Sequence, residues 1–264
     1  MKWWFSDYDG TINLMHNNFI DPRDLEFIKL WIDNGNKFAI ATGRMEHEIT
    51  PVLEKADIPY DYMICNNGAV IYEKGKGVIE NATIPMESRQ DIINVFESIR
   101  EKHVLGYCLK DERKPYSKVD EPEVYTNPFL EQYAPRENNF EEGNFDILNS
   151  PDLNLLYIFV AESDVLTVKT LLKNKIRNCK AVTTHRNVIE IMREDVSKAY
   201  GIEVIQKLNG FETSKVYTSG DGENDIEMLE FTENSFAMQN HQPRVDKAAK
   251  HIIKNVFEIK NYIK

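Results

Sequence analysis

The sequence predicts an α/β protein with a parallel β-sheet core into which an α+β module is inserted. Three observations predict this arrangement. Short apolar segments alternate with amphipathic segments at both ends of the chain, which is typical of βαβ units. Residues 84–187 follow a different pattern, with several separate strand signals and a long acidic stretch. Polar residues come directly after apolar segments at both ends of the chain, as at the ligand-binding edge of an open parallel sheet.

The first eighty residues alternate strand and helix patterns. Asp21-Pro22 predicts a helix start, because an Asp side chain caps a helix and Pro suits its first position. Gly35 predicts the end of that helix. The other elements predicted here are a strand at 2–5, a strand at 38–41, a helix at 51–56 and a strand at 62–65.

The last part of the chain returns to the same alternation. Asn209-Gly210 predicts the end of an amphipathic helix that begins at Lys198. The predicted elements that follow are a strand at 215–218, a helix at 224–231, a strand at 235–238 and a helix at 243–249. Both ends of the chain are therefore expected to build one sheet.

The middle of the chain predicts a separate module. Ser88 to Glu101 has one apolar helical face, and Ser163 caps a second helix that runs to about Lys175. Strands are predicted at 104–109, 155–161, 181–184 and 188–192. Residues 120–164 contain eleven acidic residues and one basic residue, and are predicted to be mostly loop with one short helix. We predict a core of residues 1–83 and 188–264 and an inserted module of residues 84–187.

Composition excludes several classes of protein. The chain has 264 residues, with 32 basic and 43 acidic side chains and a net charge of −11. This acidic balance argues against nucleic-acid and membrane partners. No segment reaches the ~18 apolar residues of a membrane span, and the N-terminus does not resemble a signal peptide. Three cysteines cannot build a disulfide framework, so we expect a reducing, cytoplasmic location.

Four polar segments follow predicted strand ends or begin a predicted helix. They are Asp7-Tyr8-Asp9-Gly10-Thr11, Thr42-Gly43-Arg44, Lys198 and the run from Gly220 to Asp225. Each alone has an ordinary explanation, as a turn, a helix cap or a surface lysine. Together they would supply carboxylates, a hydroxyl and a cation at one edge of a sheet. The carboxylates suit a hard cation such as Mg²⁺.

Calcium loops of the EF-hand type are excluded by position. Such a loop needs Gly at its sixth residue. Counted from Asp7 the sixth residue is Ile12, and counted from Asp221 it is Ile226.

These motifs resemble those of the haloacid dehalogenase-like superfamily, specifically its Cof-type (class IIB) phosphatases with a C2 cap. The matching segments are Asp-x-Asp-Gly-Thr at 7–11, Ala-Thr-Gly-Arg at 41–44, Asn-Gly-Ala at 67–69, Ser-Lys at 197–198 and Gly-Asp-Gly-x-Asn-Asp at 220–225. The resemblance implies a Rossmann-like core with an inserted C2-type cap. It also implies a Mg²⁺-dependent phosphoric monoester hydrolase that acts on a small phosphorylated metabolite.

The resemblance also implies a role for each residue of the motifs. Asp7 would attack phosphorus and form an aspartyl-phosphate, with its pKa kept low by Mg²⁺ and Lys198. Asp9 would protonate the leaving group and then activate water. The implied Mg²⁺ ligands are Asp7, Asp9 through its carbonyl, Asp221 and Asp225. The implied phosphate-binding residues are Thr42, Gly43, Lys198 and Asn224. Arg44 and Asn67 are candidate substrate contacts, and Asn67 is also a candidate for the cap hinge.

Some positions depart from the family pattern. Ser6 stands where the family has an apolar residue just before the nucleophile. After Met238 the family reads Gly-Asn-Ala, whereas this chain reads Gln239-Asn240-His241, and Lys247 falls slightly late. These departures concern the shape of the loops and leave the proposed catalytic residues intact. His241 is expected to be a surface or supporting residue rather than a metal ligand, because Mg²⁺ prefers oxygen.

Two other functions remain open at this point. A phosphomutase of the same superfamily would need a second phosphate site, for which the six basic residues between Val165 and Asn187 are candidates, although at that spacing they also fit a solvated face. A non-catalytic regulatory protein on this fold would not need the carboxylates of both loops. Candidate substrate contacts in the inserted module are Arg113, Lys114, Lys118, Arg186, Tyr107 and Tyr116. The sequence identifies neither the substrate nor the oligomeric state.

Overall fold

The computed structural model of the protein describes residues 1–119 and 137–263. These residues form two compact units, one of residues 1–80 and 196–264 and one of residues 81–195. The eight helices of the described residues, numbered in chain order, are α1 (Pro22–Asp33), α2 (Glu46–Lys55), α3 (Arg89–Ile99), α4 (Phe140–Asn149), α5 (Val165–Lys175), α6 (Lys198–Asn209), α7 (Ile226–Glu230) and α8 (Val245–Ala248).

The strands of the described residues belong to two sheets. In chain order they are β1 (Trp3–Ser6), β2 (Lys37–Ala41), β3 (Tyr62–Cys65), β4 (Val70–Glu73), β5 (Gly77–Asn81), β6 (Val104–Leu109), β7 (Glu112–Ser117), β8 (Leu153–Phe159), β9 (Cys179–His185), β10 (Val188–Arg193), β11 (Val216–Gly220), β12 (Asn234–Met238) and β13 (His251–Ile253). One sheet has eight strands in the order β13-β12-β11-β1-β2-β3-β4-β5. The other has five in the order β7-β6-β8-β10-β9.

The eight-stranded sheet is parallel from β13 to β3 and places β1 at its centre. β1 pairs in parallel with both β2 and β11, whereas β4 returns antiparallel to β3. Both faces of β1 are buried: the Trp4 ring packs near Trp31 and Phe38, and the Trp3 ring packs on Phe211. Burial on both faces is typical of a parallel sheet and explains the continuous apolar sequence of this strand. The predicted α/β core with a parallel sheet is confirmed.

The second unit is an antiparallel sheet with three described helices. β8 pairs antiparallel with β6 and β10, and β10 pairs with β9. Apolar side chains of α3, α4 and α5 share one core with this sheet. Because β10 pairs on both sides within this sheet, the second boundary of the inserted module lies after Asp195, whereas residues 188–195 were predicted to belong to the core.

Several element bounds differ from the prediction for local reasons. α2 begins at Glu46 instead of Pro51, because the Glu48 carboxylate accepts the Met45 N–H at 2.9 Å and caps an earlier turn. The start of the helix predicted at 224–231 is instead a 3₁₀ turn, and α7 begins at Ile226. β4, β5, β7 and β13 were not predicted. Part of the acidic loop prediction, residues 120–136, lies outside the described residues.

The helix α6 carries Lys198 and packs closely on β3. Ser197 caps this helix by accepting the Tyr200 N–H at 3.3 Å, and Gly210 ends it in the left-handed conformation, as predicted. A Cβ on Gly201 would lie 2.6 Å from Ile64 Cγ2, so only glycine permits this approach. None of the helices among residues 1–119 and 137–263 combines the length and apolarity needed to cross a membrane. The three cysteines form no disulfide.

We expect Gly201→Ala to destabilise the protein by about 1–3 kcal/mol, although Ala is the better helix former. The reason is that Ile64 is fully buried and has no room to move away from the added methyl group. Denaturant unfolding measures the change, with Glu203→Ala, an exposed position of the same helix, as the control. A Gly201→Ala protein as stable as that control would contradict the close packing.

Candidate functional site

Two loops leave neighbouring strands of the core sheet at the same edge. The first loop, residues 7–11, follows β1, and the second loop, residues 220–225, begins at the last residue of β11. Ser6 and Ser219 are register partners at the ends of β1 and β11, and the strands run parallel. The Asp7 N–H donates to the Ser219 carbonyl at 2.9 Å, so the two loops start next to each other. This is the carboxyl edge of the sheet, where ligands bind in open α/β folds.

Lys198 lies buried between two carboxylates. Its Nζ donates to Asp7 Oδ1 at 2.7 Å and to Asp225 Oδ1 at 2.5 Å, and the side chain has no exposed surface. Burial lowers the pKa of Lys198, but the charges of Asp225 and Asp7 outweigh burial and leave this pKa raised. Lys198 therefore stays charged and links α6 to both loops.

Asp225 holds the second loop in shape. Its Oδ2 accepts the N–H groups of Asp221 and Gly222, both at 2.9 Å, while its Oδ1 accepts from Lys198. Both oxygens of this carboxylate therefore already have donors. Gln242 supports the same loop: its side chain accepts the Glu223 N–H at 3.0 Å, and its N–H donates to the Asp221 carbonyl at 2.8 Å.

The two loops also contact each other directly. Thr11 Oγ1 donates to Asp221 Oδ1 at 3.3 Å. Gly10 has φ of +87°, and a Cβ there would lie 2.3 Å from Asp221 Oδ2, so a side chain at this position is excluded by both conformation and space. Asp7, Asp221 and Asp225 form one cluster, with ligand oxygens within 4.8 Å of one another.

This cluster carries more negative charge than its protein surroundings neutralise. Burial, with help from Asp225, raises the pKa of Asp221 to about 7. Burial also raises the pKa of Asp7 well above its usual range, and Lys198 only partly opposes this. Asp7 Oδ2 is buried and accepts no hydrogen bond within the described part of the chain. Lys198 alone thus does not keep the Asp7 pKa low, and a divalent cation bound by oxygen ligands fits the cluster.

The Asp9 carboxylate lies outside this cluster and is held by Arg44. Arg44 donates from Nε to Asp9 Oδ2 and from Nη2 to Asp9 Oδ1, both at 2.6 Å. Asn13 adds a third donor at 3.0 Å to Oδ1. Bidentate pairs of this kind fix the orientation of a carboxylate. Arg44, which was predicted as a candidate substrate contact, therefore binds a candidate catalytic residue.

The third strand ends in a strained turn that contacts two of the motif loops. Asn66, Asn67 and Gly68 have φ values of 48°, 52° and 106°, which is an unusual run of left-handed residues. The Asn67 N–H donates to the Thr42 carbonyl at 3.0 Å, and Asn67 Oδ1 accepts from Asn224 Nδ2 at 2.9 Å. Asn67 is buried in these contacts and connects the Thr42-Gly43 segment to the second loop.

The candidate contacts of the second unit mostly have partners within that unit. Tyr107 and Tyr116 are buried and donate to Asp146 and Asn144, both at 2.8 Å. Lys114 pairs with Glu142 at 2.8 Å, Arg186 pairs with Glu162 at 3.0 Å, and the Arg113 guanidinium lies 5.0 Å from the centre of the Tyr157 ring. The main-chain N–H of Lys118 donates to Asn138 Oδ1 at 2.8 Å.

Six basic residues were considered for the second phosphate site of a phosphomutase. Three of them have partners in the same unit: Lys169 donates to Thr183 at 2.9 Å, Arg177 lies 3.8 Å from Asp91, and Arg186 pairs with Glu162. These contacts fit a solvated face better than a phosphate site.

Sequence reasoning missed three supporting residues of the site. Thr11 is fully buried and donates to Asp221, and Asn13 is fully buried and donates to Asp9. Gln242 accepts from the Glu223 N–H of the second loop. Only Thr11 belongs to a recognisable motif. An isolated Asn or Gln carries no signal in one sequence, because its role depends on neighbours brought by the fold. Of the residues that depart from the family pattern after Met238, Gln239 and Lys247 are exposed, and His241 Nδ1 lies 2.8 Å from the Gln242 carbonyl.

The fold and the site define an α/β protein with an inserted α+β module and a carboxylate cluster at the carboxyl edge of its parallel sheet. The family model of the haloacid dehalogenase-like hydrolases matches residues 4–258, so the chain belongs to this family. The resemblance predicted from the motifs is confirmed.

The chain is similar to curated relatives in sequence and to solved structures in fold. A 5-amino-6-(5-phospho-D-ribitylamino)uracil phosphatase of Bacillus subtilis, YwtE, is 25% identical over 91% of this chain and 88% of its own length. The subclass IIB sugar phosphatase BT4131 superposes with a TM-score of 0.80 at 21% identity, covering 99% of this chain and 98% of that one. The phosphatase-superfamily protein BT1666 of Bacteroides thetaiotaomicron gives a TM-score of 0.81 at 21% identity, covering 99% and 94%.

In a chelator, we expect the free energy of unfolding to fall as the pH rises from about 4 to about 7. The folded state holds a proton on Asp221 that the unfolded state releases, because the folded pKa is raised to about 7. Asp221→Asn should weaken this dependence and leave the part that comes from Asp7, whose pKa is also raised. Asp33→Asn, at an exposed position, should leave the whole dependence unchanged. Mg²⁺ at pH 8 should raise the melting temperature of the wild type by about 5 °C or more and that of Asp221→Asn much less. Equal pH profiles and equal Mg²⁺ shifts for all three proteins would refute the metal site.

Proposed function

We propose that this protein is a Mg²⁺-dependent phosphatase that hydrolyses a small phosphorylated metabolite through an aspartyl-phosphate on Asp7. The observation that carries the proposal is the state of the Asp7 carboxylate: it is buried, one oxygen binds Lys198, and the other oxygen has no hydrogen-bond donor among the described residues. A carboxylate held in this way suits a nucleophile. Family membership supports the hydrolase class.

In the first step, an Asp7 oxygen attacks phosphorus and the bond to the leaving oxygen breaks. Asp9 gives its proton to the leaving alcohol. In the second step, Asp9 takes a proton from water, the water oxygen attacks the phosphorus of the aspartyl-phosphate, and the Asp7 carboxylate is restored as phosphate leaves. Arg44 and Asn13 fix the position of the Asp9 carboxylate. Because both of its oxygens accept from these donors, one oxygen has to be released before it can carry the proton of either step.

Mg²⁺, when bound, supplies positive charge beside the carboxylates and the phosphoryl group. We assign Asp7, Asp221 and the Asp9 carbonyl as its ligands. We assign Asp225 chiefly to orienting this set, because both of its oxygens already accept from Lys198 and from the N–H groups of the second loop. This division follows from the number of donors that each carboxylate already has.

The phosphoryl oxygens would be bound by Lys198, the Thr42 hydroxyl, the Gly43 N–H and Asn224. Fixed donors of this kind stabilise the charge of the transferring phosphoryl group. Asn67 holds Thr42 and Asn224 in their mutual positions and is therefore assigned to support rather than to direct substrate contact.

The substrate class is proposed from chemistry and from relatives. One relative is a phosphatase of a ribityl phosphate and one structural neighbour is a sugar phosphatase, so polyol and sugar phosphates are the first compounds to test. The net charge of −11 makes general attraction of an anion weak, so phosphate recognition depends on local cations. The absence of a disulfide among Cys65, Cys108 and Cys179 supports a cytoplasmic location.

We expect the wild type with Mg²⁺ to release phosphate from members of a panel of sugar, polyol, nucleotide and cofactor phosphates. Asp7→Asn should lower kcat/KM by at least ~10³-fold, because an amide is not a nucleophile for this step. Asp24→Asn, a buried carboxylate bound to Phe257 N–H and Asn255, is the matched control and should keep its activity. Full activity in a chelator, or of Asp7→Asn, would refute the mechanism. Isomerised product without free phosphate would indicate a mutase, and no turnover of any compound despite Mg²⁺ binding would indicate a regulator.

We expect Arg44→Met to affect substrates according to their leaving groups. Without Arg44 the Asp9 carboxylate loses its two strongest donors, so proton transfer to the leaving group suffers. For an alkyl phosphate kcat/KM should fall about 10- to 100-fold, whereas for p-nitrophenyl phosphate, whose leaving group needs no proton, it should fall much less. Arg23→Met, which breaks the exposed bidentate pair with Asp21, is the control. An equal loss for both substrates would show that Arg44 contacts the substrate instead.

A further inference from the structure

A chain of three hydrogen bonds lies directly beneath the proposed nucleophile. Trp4 Nε1 donates to Ser219 Oγ at 2.9 Å, Ser219 Oγ donates to Ser6 Oγ at 2.8 Å, and Ser6 Oγ donates to the Asp7 carbonyl at 2.8 Å. Trp4, Ser6 and Ser219 have no exposed surface. The chain crosses from β1 to β11 and back, and ends on the main chain of Asp7.

The direction of this chain is fixed by chemistry. An indole N–H only donates and a carbonyl oxygen only accepts, whereas each hydroxyl can do both. Each hydroxyl hydrogen therefore points toward Asp7, and each donor of the chain has an acceptor. The Asp7 N–H in turn donates to the Ser219 carbonyl at 2.9 Å. Ser6 and Ser219 together hold both main-chain polar groups of Asp7.

The opposite face of the same two strands lacks such a chain. The indole N–H of Trp3 and the hydroxyl of Thr218 are buried there and have no hydrogen-bond partner within residues 1–119 and 137–263. Burial of a Trp and a hydroxyl in these strands therefore does not by itself produce a hydrogen-bond chain. The difference between the faces is that Ser6 connects the chain to the loop of Asp7.

Ser6 is also one of the residues that depart from the family pattern. An apolar side chain at this position would leave the Ser219 hydroxyl without this acceptor and the Asp7 carbonyl without this donor. Asp7 follows the last residue of β1, so regular strand pairing ends where the nucleophile begins. A hydrogen bond from Ser6 extends the restraint of the sheet by one residue.

We propose that Ser6 is a positioning residue for Asp7, and that the chain from Trp4 through Ser219 and Ser6 fixes the main chain of the nucleophile. The proposal rests on the proposed function, because it assigns a catalytic consequence to the position of Asp7. A nucleophile displaced by a fraction of an ångström attacks less well, whereas ground-state binding of phosphate depends on other groups. Loss of Ser6 should therefore lower kcat more than it changes KM.

The test compares Ser6→Ala, Ser219→Ala, their double variant and Trp4→Phe. The controls are Thr218→Val and Trp3→Phe, which remove the unpaired hydroxyl and indole of the opposite face. We expect Ser6→Ala to lower kcat about tenfold with KM nearly unchanged, and the controls to keep kcat within about twofold. Trp4→Phe, at the far end of the chain, should lower kcat less than Ser6→Ala.

The double variant separates positioning from stability. Each single variant breaks the shared Ser219–Ser6 hydrogen bond and one further bond of the chain, whereas the double variant breaks the shared bond only once. Its stability should therefore exceed that expected from the sum of the singles. Its kcat should stay as low as that of Ser6→Ala, because the Asp7 carbonyl still lacks its donor. A kcat that recovers together with stability, or a Ser6→Ala kcat equal to that of Thr218→Val, would overturn the proposal.

Mg²⁺ alone gives a readout that does not need turnover. Because Asp7 belongs to the carboxylate cluster, the rise in melting temperature on adding Mg²⁺ should be smaller for Ser6→Ala than for Thr218→Val. Equal rises would overturn the proposal. If the wild type released no phosphate from any ester, the proposed function would fail, and the Mg²⁺ comparison would still decide whether Ser6 positions Asp7.

Discussion

The whole site depends on one buried ammonium group. Lys198 Nζ lies between the Asp7 and Asp225 carboxylates, and its loss would leave two buried carboxylates without a cation. Breaking a buried ion pair in this way is far more costly than losing an exposed one. Lys198 reaches this place only because Ser197 starts α6 beside the strand ends and Gly201 lets α6 approach β3. The packing of one helix thus sets the charge balance of the site.

Around this group, the loops are held by hydrogen bonds within one loop and between neighbouring loops. Asp225 accepts the N–H groups of its own loop and the Lys198 ammonium, Asn67 connects the Thr42 segment to Asn224, and Arg44 fixes Asp9. These contacts order the donors and acceptors before a ligand arrives, which reduces the reorganisation that a reaction would need. The cost is visible in the left-handed run at 66–68 and in the raised pKa of Asp221. Strain and crowded charge of this kind are common at functional sites.

The alternation of apolar and amphipathic segments was sufficient to predict the parallel core, a separate α+β module in the middle of the chain, and the caps at Asp21 and Gly210. It was insufficient for β5 and β7, because both are partly exposed and periodicity is weak there. It was also insufficient for β4, a buried strand of four residues that is too short to show a period. The second boundary was misplaced because β10 resembles a core strand in sequence. Its sheet is decided by its pairing with β8 and β9, which no local pattern records.

The sequence by itself determined the fold class, the family and the chemical identity of the candidate residues, because those depend on local spacing and on motifs. Only the tertiary structure decided which of them meet. It brought Asp7, Asp221 and Asp225 together with Lys198, placed Asp9 on Arg44, and revealed Ser6 beneath the nucleophile. Contacts between residues about two hundred positions apart, such as Ser6 and Ser219, arise from the pairing of β1 with β11. A hydrogen bond depends on positions and directions in space, and these exist only once the strands have paired.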